Sequence, residues 1–322
     1  MLFGDIKVRD YKFIILCFLL SSCYNQEFDN KSNNLDKKWN QGAIVTAANP
    51  YAVSTAKKIL EAGGHAVDAA IAAHAVLGLV EPQSSGIGGG AFMLTYEQTN
   101  NELIFYDGRE VAPSKATKDM FMLDGKVLSF LDSWQSGLAV GVPGTIAVYK
   151  AAHEEHGNLP WKDLFQPAIE LANNGFIVSP RLANYLPMMA ERSRLDENLG
   201  SAEYFYPNGK PLKAGNLKKN PEYSLTLNKI AHDGPKAFYE GKIAAEIVNV
   251  AKMPPNPGFI EEQDLESYKA IKRSPICGKF RTLKICTSSP PSSGGAQIMI
   301  AAIYNHLINE NSSFDDKIAA FV

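Results

Sequence analysis

The stretch Glu81-Pro82-Gln83-Ser84-Ser85-Gly86-Ile87-Gly88-Gly89-Gly90, continuing through residues 91–106 to Asp107-Gly108-Arg109-Glu110, decides how the chain is read. Four glycines in five residues permit backbone conformations and close approaches that a Cβ forbids. Residues 91–96 and 103–106 are rich in β-formers and flank a polar turn, 97–102, which predicts a hairpin behind a glycine-lined floor. Just after the second strand, Asp107 and Glu110 bracket Arg109. A guanidinium offers a planar fork of donors that matches a carboxylate, so Arg109 is the candidate ligand contact. The competing reading is a tight glycine turn without a ligand, with Arg109 in an ion pair to Asp107 or Glu110.

Gly86-x-Gly88-x-x-Ala91 formally fits a relaxed dinucleotide-binding fingerprint. That fingerprint must follow a strand and open a helix. Here a small-residue helical stretch, 66–79, comes before the glycines and a strand comes after them, so no cofactor is expected. Upstream, 42–48 reads as a small-residue strand, and 54–62 as a helix closed by Gly63-Gly64. The 66–79 helix is apolar nearly all round and should be buried, with Asp68 compensating or capping its first turn rather than catalysing. His74 is read as structural too.

Further along, 144–157 reads as one helix. Its His153-Glu154-Glu155-His156 end lacks the spacing of zinc-binding helices and is expected to be solvated, with no metal. Residues 184–221 read as loop-rich around a turn at 204–209, and helices are expected at 225–232 and 241–250. No repeat and no domain boundary appears inside 41–300.

The 322 residues are 45% hydrophobic and 20% charged with a formal net charge of −2, the composition of a globular protein. That balance offers nothing basic enough for a nucleic-acid partner. Residues 1–23 stand apart. Lys7, Arg9 and Lys12 precede an apolar run, 13–20, which ends in Leu20-Ser21-Ser22-Cys23. A basic start, a short apolar run and small residues make a secretory signal, and the run is too short to span a bilayer. Leu-Ser-Ser-Cys is similar to a bacterial lipobox, so Cys23 is the expected lipidation site; the alternative is an ordinary cleaved signal. The expected organisation is therefore signal 1–23, flexible tether 24–40 and one domain, 41–322. The expected location is the periplasmic side of a bacterial membrane. Of the four cysteines, Cys17 and Cys23 belong to the signal, and the other two, Cys277 and Cys286, flank a short hairpin and read equally as a disulfide or as buried thiols.

Several ordered blocks together resemble one family. They are G-G-H-A-V-D-A-A-I-A-A (63–73), E-P-Q-S-S-G-I-G-G-G (81–90), D-G-R-E-V-A-P (107–113), A-V-G-V-P-G-T (139–145), L-P-W-K-D-L-F-Q-P-A-I-E-L-A (159–172), G-F-I-V-S-P-R-L (175–182) and P-P-S-S-G-G (290–295). Their order is similar to that of the gamma-glutamyltransferase (glutathione hydrolase) family, from about Gln41 to about Ala302. The resemblance implies an α+β fold, the αββα sandwich of N-terminal-nucleophile hydrolases. The hairpin would supply sheet strands and 114–270 the helical cover. It also implies acyl transfer: a precursor cuts itself before a Thr, which attacks a γ-glutamyl amide with its own amine as base. Glutathione or another γ-glutamyl compound is the implied substrate, and a small subunit carrying that Thr is the implied partner. Arg109 matches the arginine that reads the substrate's α-carboxylate. Members of similar layout act on cephalosporin side chains or polyglutamate, but D-G-R-E matches the glutamyl-specific ones.

One departure is large. The family nucleophile lies in a Thr-Thr block beyond P-P-S-S-G-G, and these residues contain no Thr-Thr dipeptide. No catalytic residue is therefore assigned here. A fragment, a frameshifted gene or a separately encoded half each accounts for that. Ser84, Ser85, Ser292 and Ser293 lie beside glycines but none occupies a G-x-S-x-G elbow, so an independent serine hydrolase is disfavoured. Two classes stay open: the large-subunit portion of an envelope γ-glutamyltransferase, or a non-catalytic binding lipoprotein that keeps the Arg109 pocket.

Overall fold

The computed structural model describes residues 42–198, 200–309 and 311–320. Cys23, the apolar run before it and the tether lie outside the described residues. Val45–Val322 forms one compact unit; of the other, Met1–Ile44, only 42–44 are described, and they have no regular secondary structure.

In chain order the elements are α1 (Pro50–Glu61), α2 (Ala66–Val80), β1 (Ala91–Glu97), β2 (Glu102–Gly108), β3 (Met122–Leu123), β4 (Lys126–Val127) and α3 (Phe130–Trp134). Then come α4 (Thr145–His156), α5 (Gln166–Asn174), β5 (Phe176–Ile177), α6 (Pro180–Ser193), α7 (Ser201–Phe205), β6 (Leu217–Lys218) and α8 (Pro221–Asp233). The remainder is α9 (Lys236–Tyr239), α10 (Gly241–Ala251), α11 (Glu262–Ser267), β7 (Ile271–Arg273), β8 (Ile276–Phe280), β9 (Leu283–Thr287), α12 (Gly294–Leu307) and α13 (Phe314–Ala319). The mixture is α+β, as the sequence led one to expect.

The hairpin forms where its residues place it. β1 and β2 pair antiparallel from Ala91↔Gly108 to Glu97↔Glu102, and β7 adds to the far side of β2 in the order β1-β2-β7. As the central strand, β2 buries Ile104, Phe105, Tyr106 and Asp107, each at most 6% exposed. Helix α2 is the hub on the helical side and packs against α1, α4 and α5. Its Ile71, Ala72, Ala75 and Val76 are fully buried, which suits a helix apolar on every face. Helix α4 in turn packs on β1 and β2, joining the helical layer to the sheet. Phe165, Tyr149, Leu164 and Leu227 fill the space between, and each large apolar side chain removed from water contributes roughly 1.5–3 kcal/mol.

Three expectations are corrected. Residues 42–47 form no strand: among the described residues no other strand pairs with them, and small-residue β-propensity yields no ladder without a partner. The loop-rich 184–221 begins with helix, because α6 runs to Ser193 despite Pro187. Its start is well signalled: the Ser179 hydroxyl accepts from Leu182 N at 3.1 Å and Pro180 occupies the first turn. Helix α1 likewise begins four residues before the expected start, with Asn49 capping Tyr51 N and Pro50 behind it. Third, the His153–His156 end of α4 is docked rather than solvated. His153 Nε2 meets the Leu159 carbonyl at 2.9 Å and its ring packs edge-on to Trp161, while His156 contacts the Tyr106 hydroxyl at 2.8 Å.

Candidate functional site

The glycine floor is fastened to the start of α4. The Gly89 carbonyl accepts from Gly144 N at 3.0 Å, Thr145 N at 3.1 Å and the Thr145 hydroxyl at 2.9 Å. These amides open a helix and want an acceptor, so the loop carbonyl satisfies them and is fixed in return. Close approach is also what makes glycine necessary. A Cβ on Gly144 would strike the Gly108 carbonyl, and one on Gly90 would stand 2.7 Å from the Glu110 carboxyl carbon. Gly90 N instead donates to Glu110 Oε1 at 2.6 Å, which ties the loop to the Arg109 segment.

Around Arg109 both neighbouring carboxylates are engaged elsewhere. Asp107 is 5% exposed; its Oδ2 accepts from Arg273 Nε of β7 at 2.6 Å, and its Oδ1 from the Arg109 backbone N–H at 2.9 Å. Glu110 is held by Gly90 N. The Arg109 carbonyl accepts from the Tyr268 hydroxyl at 2.7 Å. Its side chain is exposed, and among the described residues the guanidinium makes no ion pair or hydrogen bond. The alternative in which Arg109 serves as the ion-pair partner of Asp107 or Glu110 is thus not the arrangement found. Arg273 takes the Asp107 carboxylate.

The other expected residues fall into structural networks. The Asp68 carboxylate is fully buried, and its Oδ2 accepts from His65 N at 2.8 Å, Asn158 N at 2.9 Å and Leu159 N at 3.2 Å. His65 Nδ1 returns the favour by accepting Val67 N, so Asp68 caps α2 and also pins the 158–159 turn. His74 Nδ1 meets the Tyr149 hydroxyl at 2.7 Å, and burial lowers its pKa. A carboxylate that matters to the floor is Glu81, only 2% exposed, which accepts from Asn49 Nδ2 at 2.7 Å and Gln83 Nε2 at 2.6 Å. Arg181 spans from Glu81 to the Ser84 hydroxyl, to which it donates at 3.2 Å. Ser292 accepts from the Ser288 hydroxyl at 2.9 Å. Among the described residues neither Ser84 nor Ser292 hydrogen-bonds a histidine, so a base for a serine nucleophile is not assembled there. No cluster of three or more His, Cys, Asp or Glu among the described residues is arranged to hold a metal. Cys277 and Cys286 stand opposite each other in the β8–β9 hairpin, where a disulfide joins them.

Tyr268, Arg273 and Tyr239, whose ring stacks on that of Tyr268, belong to this site and were not legible in the sequence. They stand 130 to 170 positions beyond Arg109 with no motif around them, and only the pairing of β7 with β2 brings Arg273 to Asp107.

Comparison with known proteins shows what the chain is similar to as a whole. The family profile described as Gamma-glutamyltranspeptidase matches residues 52–320. The Glutathione hydrolase proenzyme of Escherichia coli (strain K12) is 37% identical over 274 residues, covering 85% of this chain and 46% of that protein. The chain thus spans less than half the length of that curated relative. The crystal structure of Helicobacter pylori gamma-glutamyltranspeptidase superposes with a TM-score of 0.78 at 35% identity, covering 87% of this chain and 81% of the other. The Bacillus anthracis transpeptidase CapD superposes with a TM-score of 0.70 at 32% identity, covering 87% and 89%.

Proposed function

The chain belongs to the gamma-glutamyltranspeptidase family and has its α+β N-terminal-nucleophile hydrolase fold, and from that premise we propose that these residues supply the carboxylate-reading half of a γ-glutamyl acyltransferase site. The substrate is glutathione or a related γ-glutamyl amide. The acyl group passes through a Thr ester to water or to an acceptor amine. The Thr lies on a small subunit outside these residues. What supports the reading is an Arg109 guanidinium that has no partner among the described residues, beside two carboxylates that are both committed to other donors.

The chemistry explains why such a group is needed. A γ-glutamyl compound carries its α-carboxylate several bonds from the scissile amide. Binding energy found at that distant end must hold the amide against the nucleophile, and orientation of this kind is worth several kcal/mol of barrier. Arg109 takes the carboxylate through two parallel hydrogen bonds, which a lysine ammonium cannot reproduce. Asp107, neutralised by Arg273, does not compete for the guanidinium.

The test uses an enzyme assembled from this chain and its small subunit. Arg109→Lys should raise KM for γ-glutamyl substrates about 10- to 150-fold, the equivalent of one hydrogen bond to a charged group at roughly 1.5–3 kcal/mol. Self-cleavage, which uses no glutamyl ligand, should be spared. A KM within twofold of the parent would remove Arg109 from the role. An assembled protein that binds γ-glutamyl ligands without turning them over would leave a non-catalytic binding protein of the same fold as the reading. The protein carrying this unit is further proposed to be exported and anchored through a lipid on Cys23.

A further inference from the structure

The peptide unit of Arg109 is gripped at both ends. Asp107 holds its N–H, and Tyr268 holds its carbonyl from 159 residues away in sequence. Tyr268 is itself braced. Its ring lies parallel to that of Tyr239, with centroids 6.0 Å apart and planes 7° apart. The Tyr239 hydroxyl donates to the Pro143 carbonyl at 2.9 Å and accepts from Ala147 N at 3.1 Å, both at the start of α4. The leading amides of that helix hold Gly89. One pair of stacked phenols therefore ties the Arg109 carbonyl to the helix end that fixes the glycine floor. A cavity of about 430 Å³, lined by Val111, Val142, Tyr268 and Ile271 among others, opens beside this contact. One side of the Tyr268 ring packs against the core and Tyr239, and the cavity leaves another side open.

We propose that Tyr268 is a positioning residue for the γ-glutamyl site, its hydroxyl setting, through the Arg109 carbonyl, the direction in which the guanidinium meets the substrate α-carboxylate. The inference rests on the role of Arg109 proposed above. Its physical basis is that strand pairing breaks off at Gly108 and resumes only in the isolated Val111↔Val142 bridge, so nothing in the β-ladder fixes the peptide between Arg109 and Glu110. With the peptide planes on both sides of the Arg109 Cα held, the Cα–Cβ direction is fixed, and freeing the carbonyl side lets φ and ψ readjust together and carries the guanidinium with them. Burial, reinforced by the charges of Asp107 and Glu110, pushes the Tyr268 phenol up to about 12. It thus stays a protonated donor at every pH at which such an enzyme would be assayed.

The experiment compares glutathione with 4-aminobutyryl-cysteinylglycine, the same peptide without the α-carboxylate, as substrates of the assembled enzyme. Tyr268→Phe keeps the stacked ring and removes only the hydroxyl. It should raise KM for glutathione roughly two- to twelve-fold, the range of one neutral hydrogen bond. The kcat and the KM for the decarboxylated analogue should stay within twofold. In an Arg109→Ala background the same change should add nothing, because the group it positions is gone. Tyr239→Phe, which loosens the brace one step further back, should give a smaller effect of the same pattern and serves if Tyr268→Phe does not fold. Equal losses for both substrates, or an undiminished loss in the Arg109→Ala background, would show a merely structural role and overturn the inference. If the parent itself does not distinguish the two substrates, the Arg109 reading falls first and Tyr268 with it.

Discussion

Replacing Asp68 with alanine should be among the most damaging single changes in this chain, although Asp68 has no part in the chemistry. The carboxylate is fully buried, and one of its oxygens accepts three backbone N–H groups, from His65, Asn158 and Leu159. Its other oxygen stands 3.6 Å from His153 Nε2, which must carry a proton because it donates to the Leu159 carbonyl. Alanine leaves three amides without their acceptor and removes the acidic group from the first turn of α2, the helix on which the core is built. A hydrogen bond to a charged group is worth roughly 1.5–3 kcal/mol, but three bonds to one atom do not add independently. Each buried amide left without an acceptor costs roughly 1–3 kcal/mol, so a loss of roughly 3–5 kcal/mol is expected, from a total of roughly 5–15 kcal/mol for a domain. Asp68→Asn keeps one oxygen facing the three amides and should lose only about 1 kcal/mol. Urea unfolding monitored by far-ultraviolet circular dichroism gives both differences from the midpoints at a common slope. Hydrogen exchange at the Asn158 and Leu159 amides should accelerate in the alanine variant. An alanine variant whose unfolding free energy stays within 1 kcal/mol of the parent would refute the network argument.

Two shorter predictions bear on the site and on location. Gly90→Ala sets a methyl group 2.7 Å from the Glu110 carboxyl carbon and 2.8 Å from the Gly108 carbonyl. It should break the 2.6 Å bond from Gly90 N and raise KM for glutathione at least tenfold, while Gly86→Ala, with open space around it, should change KM by less than threefold; equal effects would contradict the cradle. A lipid on Cys23 would keep the exported protein with membranes, since one acyl chain binds marginally and two or more anchor stably; Cys23→Ser should shift it to the soluble fraction or leave the precursor unprocessed, and unchanged membrane fractionation would end that proposal.

What the sequence disclosed and what it hid follow from the reach of each interaction. The hairpin, the buried α2 helix and the α4 segment rest on local pattern. Alternating β-formers around a polar turn, an apolar run and glycine punctuation all act within about fifteen residues, and each element appears within a few residues of its expected bounds. The errors share a cause as well. Residues 42–47 have strand-like side chains but no partner strand among the described residues, and the loop-rich reading of 184–221 passed over the helix start that Ser179-Pro180 announces.

At the site the division is sharper. Arg109 was legible because its chemistry is local: a guanidinium just after a strand, beside glycines. Its availability was not, since a sequence with Asp107 and Glu110 on either side supports an ion pair equally well. The choice is made by β7, which lies more than 160 residues on and brings Arg273 Nε to 2.6 Å from Asp107. A buried carboxylate needs a compensating charge whichever arginine supplies it. Had Arg109 been that partner, its guanidinium would be spent and the loop would be a structural corner. Because Arg273 satisfies Asp107 from the sheet side, Asp107 can turn its second oxygen to the Arg109 backbone and fix that residue without touching its side chain. One arginine neutralises Asp107, and that leaves the other unspent for the carboxylate-reading role proposed for it.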